Sequence, residues 1–356
     1  VSTAGAADRT RPAWTVWAVV AAVVVVIAGL LHAWRNTNVL TADRLCGDLV
    51  SAERVDAVLP GSGRLDAEGD GLDDDLTDTR CRVEKSSVVL GSAESRLTVR
   101  LWGVRGYDPL TFEREPYPPG ASFFSGEVTG GVDAYKAWVM LPEKCWTDRP
   151  VVAEFSIDEP AADRTAFAAL ATDTVRTIAA RTRCGDLPEK PGTLVPPRSD
   201  AARPVSEGQV CGLDGLTVAG QVPTGTKVLE EGQQAPAALW ACKLTLDDET
   251  RGFVRSDGFM KYSATRDPLL IDAMRKSPGT AKGTAPDGRE AENVDKGAGF
   301  ILPCADGGSL YLAVDSGQQY LEASKRHEDL PKRDAYVAPF MKAAARTFGC
   351  AAPEAG

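Results

Sequence analysis

The first strongly patterned stretch of the chain has no polar face. Residues 13–34 run for 22 positions without a charge, through Val23, Val24, Val25, Val26 and Ile27. As a helix this stretch reaches about 33 Å, enough to cross a hydrocarbon core of about 30 Å. Pro12 suits a first helical turn, and Trp14, Trp17 and Trp34 lie near the two ends, where indoles favour the interface. The pattern predicts a transmembrane helix over 13–34 behind a cytoplasmic tail of residues 1–12. A cleaved signal peptide competes, with Val26-Ile27-Ala28 as its cleavage site, but the apolar stretch exceeds a signal core. A lipid-modified cysteine does not fit, because Asp43-Arg44-Leu45 before Cys46 lacks the small residues such a site needs.

Beyond the apolar stretch the pattern alternates between two periods. Ala52, Val55 and Leu59 recur at helical spacing until Pro60-Gly61, whereas residues 96–101 alternate polar with apolar. Runs of strand formers occur at 134–141, 151–157 and 310–314. Two closing helices show one apolar face each: Phe167, Leu170, Ala171, Val175 and Ile178, then Tyr336, Phe340, Ala344 and Phe348. The elements predict an α+β fold, an antiparallel sheet with packed helices.

The same elements occur twice. Cys46 to Cys184 spans 138 positions and Cys211 to Cys350 spans 139, with Cys81 and Cys145 inside the first set and Cys242 and Cys304 inside the second. Short stretches repeat in the same order: Leu45-Cys46-Gly47 with Val210-Cys211-Gly212, Cys81-Arg82-Val83 with Cys242-Lys243-Leu244, and Asp108-Pro109-Leu110 with Asp267-Pro268-Leu269. A period near 160 is too long for a solenoid and predicts two tandem homologous domains. Repeat 1 covers 42–186, a Pro-rich linker 187–206, and repeat 2 covers 207–352. Each copy is expected to open with a short helix and to fold separately.

The eight cysteines, all after the apolar stretch and even in number, predict disulfides in an oxidising, extracytoplasmic compartment. Zinc is the rival, but no C-x-x-C pair occurs and only His327 lies beyond the apolar stretch. The third cysteine of each copy precedes the last strand and the fourth comes after the last helix. An antiparallel strand and helix bring those ends together, which pairs Cys145 with Cys184 and Cys304 with Cys350. Elimination leaves Cys46 with Cys81 and Cys211 with Cys242, tying the opening helix to the first strand. First-to-fourth pairing, with adjacent opening and closing helices, is the rival.

The single anchor, the four-cysteine α+β unit and the richness in Ala, Val, Gly, Arg and Asp resemble membrane-anchored envelope proteins of unknown role from high-GC Gram-positive bacteria, streptomycetes in particular. The resemblance implies a location in the cell membrane, single-pass, with the C-terminal domains outside; it implies no activity.

Charge narrows the partners. The chain carries −10 formally, and residues 1–35 sum to +2, leaving −12 beyond them. Nucleic acid is excluded as a partner by the lack of a basic footprint. No G-x-S-x-G, H-E-x-x-H or phosphate-loop motif occurs, and His327 lies in a polar stretch, so neither catalytic residues nor a cofactor are expected. Asp66, Glu68, Asp70, Asp73, Asp74, Asp75 and Asp78 form an acidic cluster whose opening resembles a calcium loop. Thr77 stands where the closing glutamate belongs, so no metal is expected there. These features predict a non-enzymatic interaction module with an envelope protein partner; a small-ligand binder is the alternative. A closed apolar pocket in either copy favours the ligand and an exposed apolar patch the protein partner.

Overall fold

The computed structural model describes residues 13–36, 38, 41–69, 71, 76, 79–86, 95–112, 116–199, 201–247, 258–297 and 299–351. Helix α1 (Ala13–Asn36) comes first, and the rest of the chain leaves its described side chains uncovered. No helix among the described residues is long and apolar enough to cross a membrane. The transmembrane span expected over 13–34 is therefore not supported. Asn38 fastens the end of α1 to the sheet-and-helix region beyond it: its amide donates to Asp56 at 3.0 Å and its carbonyl accepts from Leu65 N at 2.8 Å.

The chain is α+β with antiparallel sheets. A ribbon of β1 (Arg44–Leu45) and β2 (Val50–Ser51) leads into α2 (Ala52–Val58), whose cap Ser51 accepts from Arg54 N. The strands of the first large sheet are β3 (Arg64–Glu68), β4 (Arg80–Ser86), β5 (Ser95–Gly103), β6 (Ser122–Phe124), β7 (Gly130–Val132), β8 (Lys136–Met140) and β9 (Val151–Ile157), in the order β3-β4-β5-β9-β8-β7-β6. Helix α3 (Arg164–Thr182) starts at Asp163, which accepts from Thr165 N at 2.7 Å, and buries the expected face of Phe167, Leu170, Ala171, Val175 and Ile178.

The second sheet contains β10 (Arg203–Pro204), β11 (Lys227–Gly232), β12 (Leu239–Asp247), β13 (Met260–Thr265), β14 (Ala281–Thr284), β15 (Glu290–Val294), β16 (Gly299–Pro303) and β17 (Ser309–Ser316). Its order is β10-β11-β12-β13-β17-β16-β15-β14, which apart from the added edge strand β10 is the order of the first sheet. Helix α4 (Pro268–Arg275) comes after β13, and α5 (Gln318–Arg326) and α6 (Asp334–Thr347) come after β17. The expected opening helix is reduced here to a 3-10 turn, Val210–Gly212. Gly208, Gly212, Gly215, Gly220 and Gly225 all adopt positive φ in this segment, a backbone shape that excludes a continuous right-handed helix.

Four disulfides join Cys46–Cys81, Cys145–Cys184, Cys211–Cys242 and Cys304–Cys350, first to second and third to fourth in each half. The closing pairs form as expected, at the start of the last strand and the end of the last helix. The opening pairs differ in one respect, because Cys81 and Cys242 do not lie on the first strand after the opening cysteine: β4 is the third strand after Cys46 and β12 the second after Cys211. Cys46 and Cys211 both stand at left-handed φ, +57° and +59°, each followed by a glycine also at positive φ. A Cβ on Gly47 would lie 2.6 Å from the Gly71 Cα, so this position requires glycine.

Helices cover the outer face of each sheet and close two separate cores. The inner faces meet in a third, where Tyr107, Trp138, Met140 and Val152 pack with Leu270, Ile271, Met274 and Ile301. The two halves, expected to fold separately, therefore share a core. The Pro-rich segment between them is also held: Val195 pairs with Phe123, Pro197 with Gln233, and buried Glu230 takes ion pairs from Arg198 and Arg203.

Candidate functional site

The repeated Asp-Pro-Leu triplets lie where the halves meet. Proline in the first helical turn fixes φ without losing a needed donor, and the preceding aspartate caps the turn. Asp267 accepts from Leu270 N at 2.9 Å to start α4, and Asp108 accepts from Leu110 N at 2.9 Å. The other carboxylate oxygen of each reaches the opposite half. Asp108 Oδ2 accepts from the Tyr311 hydroxyl at 2.7 Å, and Asp267 Oδ2 from Ser125 at 2.5 Å and Thr129 at 2.6 Å.

On the face of the second sheet that carries Tyr311, two side-chain rows further along β17, runs a row of charges. Strand register sets Glu231, Lys243, Lys261 and Asp315 side by side on β11, β12, β13 and β17. Both lysines are buried, and each ammonium pairs with the carboxylate on its outer side: Lys243 with Glu231 at 3.0 Å, Lys261 with Asp315 at 3.1 Å. The first half covers the row with aromatic rings, Tyr117 at 4.9 Å from the Lys243 ammonium and Phe112 at 5.7 Å from that of Lys261. Buried Gln233 holds this covering segment by donating to the Pro118 and Ala121 carbonyls at 2.8 and 3.0 Å.

Between the covering segment and β13 and β17 lies a cavity of about 610 Å³, within the range of small-molecule sites. Ser263 and Ala313, opposite each other on β13 and β17, line it together with Lys261, and Leu110, Phe112, Met274 and Val294 supply apolar wall. At the matching register the first sheet carries Arg100 opposite Glu154, long side chains where the second has a hydroxymethyl and a methyl. The space thus arises from two small residues. Asp295 stands at its edge at φ +45°, a strained position for a non-glycine, and accepts from Ser277.

Burial pushes the Tyr311 hydroxyl well above the ordinary phenol range, and the carboxylates of Asp108 and Asp295 push it further the same way. It therefore remains a donor to Asp108 at neutral pH. Ser263, 3% exposed, has no side-chain hydrogen bond to a described residue. Arg333 gives one N–H to the Val314 carbonyl at 2.5 Å, while its Nε has no partner among the described residues. The cleft offers buried donors, an ion pair and an apolar wall.

The cysteines lie in the outer cores, away from this cleft. His327 ends α5 at an exposed position. Of the acidic cluster, Asp66 and Glu68 lie on β3, while Asp70, Asp73, Asp74, Asp75 and Asp78 fall outside the described residues. No group of three or more metal-ligating side chains occurs among the described residues. Sequence reasoning found the Asp-Pro-Leu repeat but gave it no role, and it missed Lys261, Ser263, Tyr311 and Ala313. The signal was the alternation of β13, whose Lys261, Ser263 and Thr265 resemble a solvent-facing edge until the first half is packed on them.

Comparison with family models, curated proteins and solved structures finds no significant match.

Proposed function

We propose that the chain is a non-enzymatic ligand-binding protein of the cell envelope, tethered by α1 and holding a small molecule in the cleft between its two sheets. The observation that carries this reading is the cavity of about 610 Å³ with Lys261 and Ser263 buried in its wall. Outside α1, the exposed large apolar side chains among the described residues are Tyr135 and Leu321, too scattered to make a docking patch. The shared strand order, the matched disulfides and the two Asp-Pro-Leu caps support a further part of the reading: the halves descend from one duplicated unit, and the cleft is what their divergence at Ser263 and Ala313 created. An extracytoplasmic position is supported by the four disulfides.

The test is chemical. The full chain is purified from membranes, denatured, and its released small molecules identified by mass spectrometry, in parallel with Ala313→Phe, which fills the cavity. A molecule released in proportion to the wild-type protein and lost from the variant is the expected result. Equal release from both, or none from the wild type, overturns the proposal.

An envelope protein partner is the second reading. It is favoured by β14, whose residues are all exposed at the open edge of the second sheet.

A further inference from the structure

The geometry points to an uncharged polyhydroxylated molecule, a saccharide of one or two rings, as the ligand of this cleft. The inference rests on the binding role proposed above and concerns the class of ligand.

The cavity wall carries cations and anions together, Lys261 and Arg333 with Asp108, Asp295 and Asp315, and its buried charges, Lys261 and Asp108, are occupied. Lys261 pairs with Asp315, and Asp108 already accepts from the Tyr311 hydroxyl and Leu110 N. A charged ligand group brought beside them would either displace one of these partners or remain uncompensated in a buried place, which is unfavourable. A neutral ligand requires neither. Asp295 and Asp315 stand at the exposed rim, where solvent screens them.

The polar capacity left over is of a kind that hydroxyl groups match. Ser263 can both donate and accept. A purely apolar ligand would leave the Ser263 hydroxyl buried without a partner. A ligand hydroxyl, donor and acceptor at once, satisfies it. Leu110, Phe112, Met274 and Val294 then face the C–H surface of a sugar ring. Small side chains at Ser263 and Ala313 leave the width such a ring needs.

The experiment uses the full chain in lipid nanodiscs and saturation-transfer NMR with four probes: maltose, glucuronate, glucosamine and indole. Maltose should give a saturable signal that Ala313→Phe removes and that Ser263→Ala weakens about tenfold in affinity, the size expected for one hydrogen bond. Non-reducing peptide maps and thermal midpoints establish that both variants are folded. If glucuronate, glucosamine or indole gives the Ala313→Phe-sensitive signal and maltose does not, the saccharide class is wrong while the binding role stands. If no probe gives a signal that Ala313→Phe removes, both fall.

Discussion

At Asp267 a single carboxylate serves two elements, starting α4 through Leu270 N and clasping the first half through Ser125 and Thr129. Replacing it by alanine removes a cap, worth about 1 kcal/mol, and strands the buried Thr129 hydroxyl at about 1–3 kcal/mol. Asp267→Ala should therefore lower stability by about 3 kcal/mol in denaturant titration, and Asp267→Asn by roughly 1 kcal/mol, because asparagine still caps. Tyr311 makes the complementary contact and gives a pH signature. Its folded pKa lies well above the ordinary phenol value near 10, so above about pH 10 the unfolded chain releases a proton that the native state retains. Stability owed to Tyr311 is thus fully present below about pH 10 and is lost as pH rises beyond it, at up to about 1.4 kcal/mol per pH unit. Burial raises the Tyr262 and Tyr336 values in the same direction. Tyr311→Phe should leave a measurably shallower decline between about pH 10 and 11.5 than the wild type shows.

Elements with one apolar face were readable from periodicity, as α3 and β5 illustrate: α3 buries the face that helical spacing marks, and β5 alternates buried Leu97, Val99 and Leu101 with less buried neighbours. The opening helix of the second half was not, because its glycines hold a looped backbone that a comparison of cysteine spacing does not register. β8 carried a signal of another kind. Ala137, Trp138, Val139 and Met140 are all buried, and a strand apolar on both faces needs a cover on each side. One cover is α3; the other is the second half of the chain. Helix α1 presents the opposite case, an apolar element whose described side chains the other described residues leave exposed. If it is the tether proposed above, protease added to intact protoplasts should digest the disulfide-bonded region and leave a short fragment containing α1. Protection of the region after residue 42 would exclude that topology.

At the scale of the whole molecule the layers run helix, sheet, sheet, helix, and the two middle layers depend on each other. A duplicated unit with one apolar face would give two independent beads, which is what cysteine spacing alone suggests. Here each sheet has a second face to bury, and Trp138 with Met140 on one side and Ile301 with Leu270 on the other belong to the same cluster. The contact also resembles that of a symmetric dimer, since each Asp-Pro-Leu cap reaches from its own half to the other. Separating the halves would expose that cluster to water and leave Lys243 and Lys261 without their aromatic cover. Residues 42–186 and 207–352 expressed apart should therefore self-associate or aggregate, whereas the two coexpressed should copurify one to one and show cooperative unfolding. Monomeric, cooperatively folded 42–186 in sedimentation and thermal melts would contradict the shared core, and with it the dependence of the cleft on both halves being present.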